Sequence, residues 1–227
     1  MRGDAIIPGP QPYRVVILTL DAHAAGPCAR VAGRLERDFP GLELTVHAAA
    51  EWGERPEALA EAKSAIATGD IVIANLLFLE EHIAAILPDL QARRDRCDAM
   101  AGIIADAQIV KLTRMGTLDM AAPESTTRKL LKKLRGGSKT SKTDDGARKM
   151  RMLRRLPRIL KLIPGKAQDL RAWFLMMQYW LGASDDNIEA MVRFMISRYC
   201  RHAGWRGARA PEPLDYPDTG LYHPGLK

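Results

Sequence analysis

The sequence predicts an α/β protein: an open, mostly parallel sheet followed by a basic, mainly α-helical extension. Three observations carry that expectation. Val15 to Leu20 and Ile71 to Ala74 are near-continuous apolar runs rich in β-branched residues, which suits strands covered on both faces. Each run is followed by apolar residues at helical spacing, the pattern of βαβ units. The positive charge is confined to one stretch in the second half of the chain.

Taken in order, Pro12 to His23 supplies the first strand, ending in the polar residues Asp21 and His23. Ala24 to Phe39 follows as a helix, with Cys28, Val31, Ala32, Leu35 and Phe39 on one face. Phe39-Pro40-Gly41 stops it. Leu42 to His47 alternates apolar and polar, as a strand near a sheet edge would. Pro56 to Ala67 reads as a helix with proline at a favourable first-turn position, and Thr68-Gly69-Asp70 as a turn. Ile71 to Leu76 is a second buried strand that carries Asn75 at its end. Leu79, Ile83, Ile86, Leu87 and Leu90 mark a further helix, which Pro88 is expected to kink or split. Ala101 to Asp106 is again strand-like. Four strands alternating with three helices make an open sheet of the Rossmann-like or flavodoxin-like kind. Nothing repeats at a fixed period.

Gln108 to Met120 mixes residue types without a clean period. Arg128 to Arg135 reads as a basic helix, 136–146 as a flexible polar loop, and Arg148 to Ile163 as a second basic helix that Pro164-Gly165 ends. Gln168 to Leu181 has the densest apolar stripe, built from Leu170, Trp173, Phe174, Met177 and Leu181. Ser184 is a good N-cap for a last helix, with Asp185 and Asp186 favoured by the helix dipole. The expected organisation is an α/β domain over 1–122, a basic helical region over 123–203, and an extended connector over 204–227. That connector, with four prolines after Ala210, reads as leading into a larger domain.

The 227 residues are 47% hydrophobic and 27% charged, ordinary for a soluble globular chain. Cys28, Cys97 and Cys200 form neither a CxxC pair nor a zinc spacing, so buried reduced thiols in a cytoplasmic protein are expected. No run approaches the ~20 apolar residues that cross a bilayer. The net charge of +7 is local: Arg128 to Lys166 holds fifteen Lys or Arg against Asp144 and Asp145, and the remainder sums to −6.

Ligands of open α/β sheets sit beyond the carboxyl ends of the strands, so Asp21, His23, Asn75 and Asp106 form a candidate polar lip. Capping of the following helices is the stronger reading of the first two. The loop from Asp21 to Pro27 lacks GxGxxG and the Walker pattern, so neither NAD nor ATP is expected there. The basic segment offers phosphate contacts, yet its central loop has no aromatic side chain to stack a base. A solvated face, or a docking surface for an acidic partner, is favoured over nucleic acid. The Trp/Phe/Met helix could face a tetrapyrrole, but such stripes are more often core. His47, His82, His202 and His223 show no metal-ligand spacing. No residue is assigned a catalytic, cofactor-binding or metal role.

Several of these stretches together resemble one family. Tyr13 to Asp21 with its helix, Ala74 to Glu81, and Lys111 to Met120 are similar to the amino-terminal domain of the large H subunit of magnesium chelatases. Met176 to Ser184 and Leu221-Tyr222-His223-Pro224 fit the same pattern, and the likeness is to the bacteriochlorophyll-pathway form. The resemblance implies part of the porphyrin-binding subunit that places Mg²⁺ into protoporphyrin IX in the cytoplasm. It also implies partner subunits of the AAA+ motor type that hydrolyse ATP, in keeping with the missing P-loop here. On this reading the fragment is not catalytic alone and holds no cofactor of its own. A cobaltochelatase large subunit, and a non-enzymatic basic module for nucleic acid or an acidic protein, are the alternatives.

Overall fold

In the computed structural model, residues 12–122, 166–182 and 184–214 are described. Six strands form one sheet in the order β2-β1-β3-β4-β5-β6. β1 (Tyr13–Thr19), β2 (Leu42–Ala48), β3 (Ile71–Asn75) and β4 (Ala99–Ile103) are parallel. β5 (Arg114–Met115) and β6 (Leu118–Asp119) close one side as an antiparallel hairpin. The apolar runs of β1, β3 and β4 are buried from end to end save Arg14, whereas the alternating β2 lies at the edge, as its pattern predicts.

Two cores sandwich the sheet. On one face Val16, Leu18, Val72, Ala74 and Met100 meet α2 (Pro56–Thr68) and α3 (Glu80–Arg93). On the other, Tyr13, Val15, Ile17, Ile71 and Ile73 meet α1 (Ala25–Asp38), α5 (Lys166–Leu181) and α6 (Asp185–Tyr199). Residues on both sides of position 122 therefore share one core. Ser184 caps α6 by accepting the Asn187 N–H at 3.2 Å. Beyond α6, Trp205 packs edge-on against Tyr13 and Phe39. The chain then lies along the helices: Tyr179 donates to the Pro211 carbonyl at 2.6 Å, and Asn187 exchanges two hydrogen bonds with Leu214.

Three expectations need correction. β1 ends at Thr19, and Asp21 and His23, expected at the end of the strand, form the cap and middle of a short 3-10 turn instead. α3 is not split at Pro88: the proline and Ala84, whose carbonyl loses its partner, are both exposed, so water can serve that carbonyl while Ile83, Ile86 and Leu90 anchor the helix. β4 begins two residues earlier than expected and ends at Ile103. Where the sequence shows no clean period, the chain forms α4 (Ala107–Lys111) and the β5–β6 hairpin, turned by Gly116 at φ +55°. Asp169 of α5 accepts bonds from the Thr117 N–H and hydroxyl, both at 2.8 Å, which pins α5 to that hairpin. The basic helices and the loop over 136–146 lie outside the described residues.

Candidate functional site

The parallel strands end together. Thr19 is in register with Asn75, and Asn75 with Ile103, so the loops after β1, β3 and β4 rise from one edge. Buried Thr19 accepts the Asp21 N–H at 3.1 Å. The Asp21 carboxylate in turn accepts the His23 N–H at 2.9 Å and caps a short 3-10 turn. Asp106 accepts the Gln108 N–H at 2.8 Å and caps α4. Of the four residues read as a polar lip, two are thus helix caps, and His23 is exposed. Asn75 differs. It is wholly buried, and neither atom of its amide makes a hydrogen bond within the protein.

The residues that follow Asn75 and Ile103 are held in unusual backbone. Leu76 has φ +53° and Ile104 φ +45°, left-handed values that bulky side chains rarely adopt. Leu76 N–H donates to the Ile104 carbonyl at 2.9 Å, and Asp106 N–H to the Leu77 carbonyl at 2.9 Å. These bonds tie the two loops together and present Phe78 and Leu79, 53% and 47% exposed, at the rim.

On the sheet face opposite Asn75, the same edge carries His47 at the end of β2, Trp52 in the following loop and His82 in the first turn of α3. Trp52 is 6% exposed and its ring meets that of His82 edge-on at 5.8 Å. Neither the Trp52 indole N–H, nor Nδ1 of His82, nor Nε2 of His47 has a hydrogen-bond partner. Burial pushes the His47 pKa down, against a smaller opposing pull from Glu61, so its imidazole is held toward the neutral form.

Among the described residues, the buried side-chain polar atoms without a hydrogen bond belong to these four residues and to Arg34. Arg34 is ion-paired with Glu189 at 2.7 Å, so the orphans gather at the carboxyl edge. Each costs about 1–3 kcal/mol when left unsatisfied. The amino edge is the reverse. There Asp70 accepts the Arg14 N–H at 2.8 Å and pairs with Arg201, while Asp98 accepts from the Tyr13 hydroxyl and the Arg201 N–H, both at 2.8 Å. A core saturated at one end and unsatisfied at the other places binding capacity at the carboxyl edge. The unpartnered atoms there belong to an amide, an indole and two imidazoles, all groups suited to hydrogen bonding.

Trp173 and Trp180 are core residues, 8% and 6% exposed, and the Trp173 indole donates to the Gly102 carbonyl at 2.8 Å. Among the described residues no cluster of His, Cys, Asp or Glu is arranged to hold a metal ion. The sequence did place Asn75 at the strand end, but it missed Trp52. His47 and His82 lie 35 positions apart, and only the sheet brings their elements to one edge.

The profile of the family described as "Domain of unknown function (DUF3479)" matches residues 14–174. The chain is 61% identical over 227 residues to the magnesium-chelatase H subunit of Cereibacter sphaeroides, covering 100% of the chain and 19% of that protein. It is 56% identical over 228 residues to the magnesium-chelatase H subunit of Rhodobacter capsulatus, again covering 100% of the chain and 19% of that protein. Against the chloroplastic magnesium-chelatase ChlH subunit of Oryza sativa subsp. indica the identity is 24% over 226 residues, 98% of the chain and 16% of that protein. The chain thus spans about a fifth of the length of the curated relatives it matches.

Proposed function

Because this chain belongs to the DUF3479 family and is homologous along its whole length to the H subunit of magnesium chelatase, we propose that it serves as one portion of that large subunit. The assembled enzyme inserts Mg²⁺ into protoporphyrin IX for bacteriochlorophyll synthesis in the cytoplasm. Partner subunits of the AAA+ motor type supply ATP hydrolysis. The single observation that carries this reading is 61% identity sustained over all 227 residues.

The geometry fits a supporting role. Insertion requires two pyrrole protons to leave while a reluctantly dehydrating Mg²⁺ is delivered, which calls for a base and a closed pocket. The orphaned groups at the carboxyl edge are an amide, an indole and two imidazoles, one of them biased to neutrality, with no carboxylate among them. We therefore assign this portion to holding or docking and give none of its residues a catalytic role.

The test is a chimera. The stretch of the Cereibacter sphaeroides protein that matches this chain is replaced by residues 1–227, and magnesium-protoporphyrin formation is followed with the motor subunits and ATP. We expect activity within about threefold of the parent, a difference below 1 kcal/mol in barrier. A soluble chimera that forms no product would overturn the assignment.

A further inference from the structure

We infer that the carboxyl edge of the sheet, around Trp52, Phe78 and Leu79, is a docking surface for a basic, apolar-faced protein segment. Three independent observations converge there. Phe78 and Leu79 stand side by side in the loop before α3, each about half exposed, where an apolar pair is costly to leave wet. The loops of this edge and the first turns of α2 and α3 that follow them carry seven carboxylates (Asp21, Glu51, Glu54, Glu57, Glu80, Glu81 and Asp106) against one guanidinium, Arg55. That guanidinium is already bridged to Glu51 at 2.8 Å and Glu57 at 3.3 Å. Finally, the buried Trp52 indole keeps an unused N–H against His82, in the first turn of the helix that Phe78 and Leu79 lead into.

The chemistry selects the occupant. An excess of carboxylates repels phosphate backbones and anionic lipid surfaces and attracts Lys and Arg. A small cation alone would satisfy the charge but leave Phe78 and Leu79 in water. A protein segment with a basic face and an apolar face meets both. This inference does not depend on the chelatase assignment.

The experiment uses the full chain and a fluorescein-labelled amphipathic Lys/Leu peptide of about 16 residues, followed by anisotropy at about 150 mM salt. Saturable binding is expected, weakened at least about tenfold by F78E/L79E and by E54K/E80K/E81K. A Lys/Ser peptide of equal charge is expected to bind at least about tenfold more weakly. The inference is overturned if no saturable binding occurs or if the variants bind as the wild type does. It is equally overturned if spermine or the Lys/Ser peptide binds as tightly as the Lys/Leu peptide. Sedimentation showing that F78E/L79E abolishes a self-dimer would assign the surface to a second copy instead, and that also overturns it.

Discussion

Leu76 and Ile104 follow two neighbouring parallel strands, both in left-handed backbone, and Leu76 N–H donates to the Ile104 carbonyl at 2.9 Å. The bond couples two strained residues, so the loops after β3 and β4 are set as a pair. A bulky residue held at positive φ costs about 1–2 kcal/mol.

That strain can be measured by comparing two neighbouring isoleucines. Ile104→Gly is expected to cost under about 1 kcal/mol, because strain release offsets the loss of a partly buried side chain. Ile103→Gly, at a fully buried strand position, is expected to cost more than about 3 kcal/mol. Urea denaturation of both variants decides the matter, and equal losses would show that Ile104 stores no strain.

Gly102 sits where β4 passes under α4. A Cβ there would lie 2.4 Å from the Ile109 carbonyl oxygen and 2.9 Å from Val110 Cα, which are main-chain atoms that cannot turn aside. The same residue accepts from Trp173 and exchanges two bonds with Thr113. Gly102→Ala is therefore expected to destabilise by at least about 3 kcal/mol. Gly33→Ala, within α1 and with nothing inside 4 Å, is expected to stabilise by up to about 1 kcal/mol. Thermal melts of the pair check both signs.

These residues also show what was legible in the sequence. The runs of β1 and β3, the stripe of α1 and the first-turn position of Pro56 are local signals of burial period and backbone preference, and all four hold. The β5–β6 hairpin was not legible, because two-residue strands carry no period and depend on β4 for their edge. Nor was the seat of α5: its stripe announces a buried helix, but Asp169 bonding Thr117, 52 positions earlier, is a tertiary fact. At the site, Asn75 could be read from its place at a strand end. The orphaned state of its amide could not, since that depends on every neighbour.

Tyr179 should make the docked stretch after α6 sensitive to alkali. Burial pushes its phenol up to about 12, and its hydroxyl donates to the Pro211 carbonyl. With the folded pKa above the unfolded value of about 10, stability is intact below pH ~10 and is lost as the pH rises toward 12. The full difference corresponds to roughly 2–3 kcal/mol. Tyr179→Phe is expected to lower stability at pH 8 by about 1 kcal/mol and to flatten the decline above pH ~10. Burial also raises Tyr13 and Tyr199, so a residual slope remains in that variant.

His47 gives the opposite sign. Its folded pKa lies below the ordinary value of about 6.5, because burial penalises the imidazolium. Its neutral form is favoured by folding, so stability is present above pH ~6.5 and is lost as the pH falls through the folded pKa. His47→Gln removes this contribution. Denaturation midpoints for wild type and variant at pH 7.5 and 5.5 are expected to diverge, with the wild type losing more on acidification. Parallel losses would mean that His47 is already protonated or hydrated in the folded protein.

Asn75 offers the sharpest separation of stability from function. Its amide is wholly buried with both atoms unpartnered, an arrangement that costs folding free energy and has no visible structural return. Leucine has similar bulk and no polar atoms, so Asn75→Leu is expected to raise stability by about 1–3 kcal/mol. In the chimeric chelatase the same substitution is expected to lower activity, because a ligand or partner group that uses the amide would lose its hydrogen bonds. Urea denaturation and the magnesium-insertion assay give the two readouts separately. A stabilised variant with full activity would make Asn75 a tolerated defect. A destabilised one would mean that the amide is already satisfied by ordered water, and the case for the carboxyl edge as a binding site would then rest on Trp52, His47 and His82 alone.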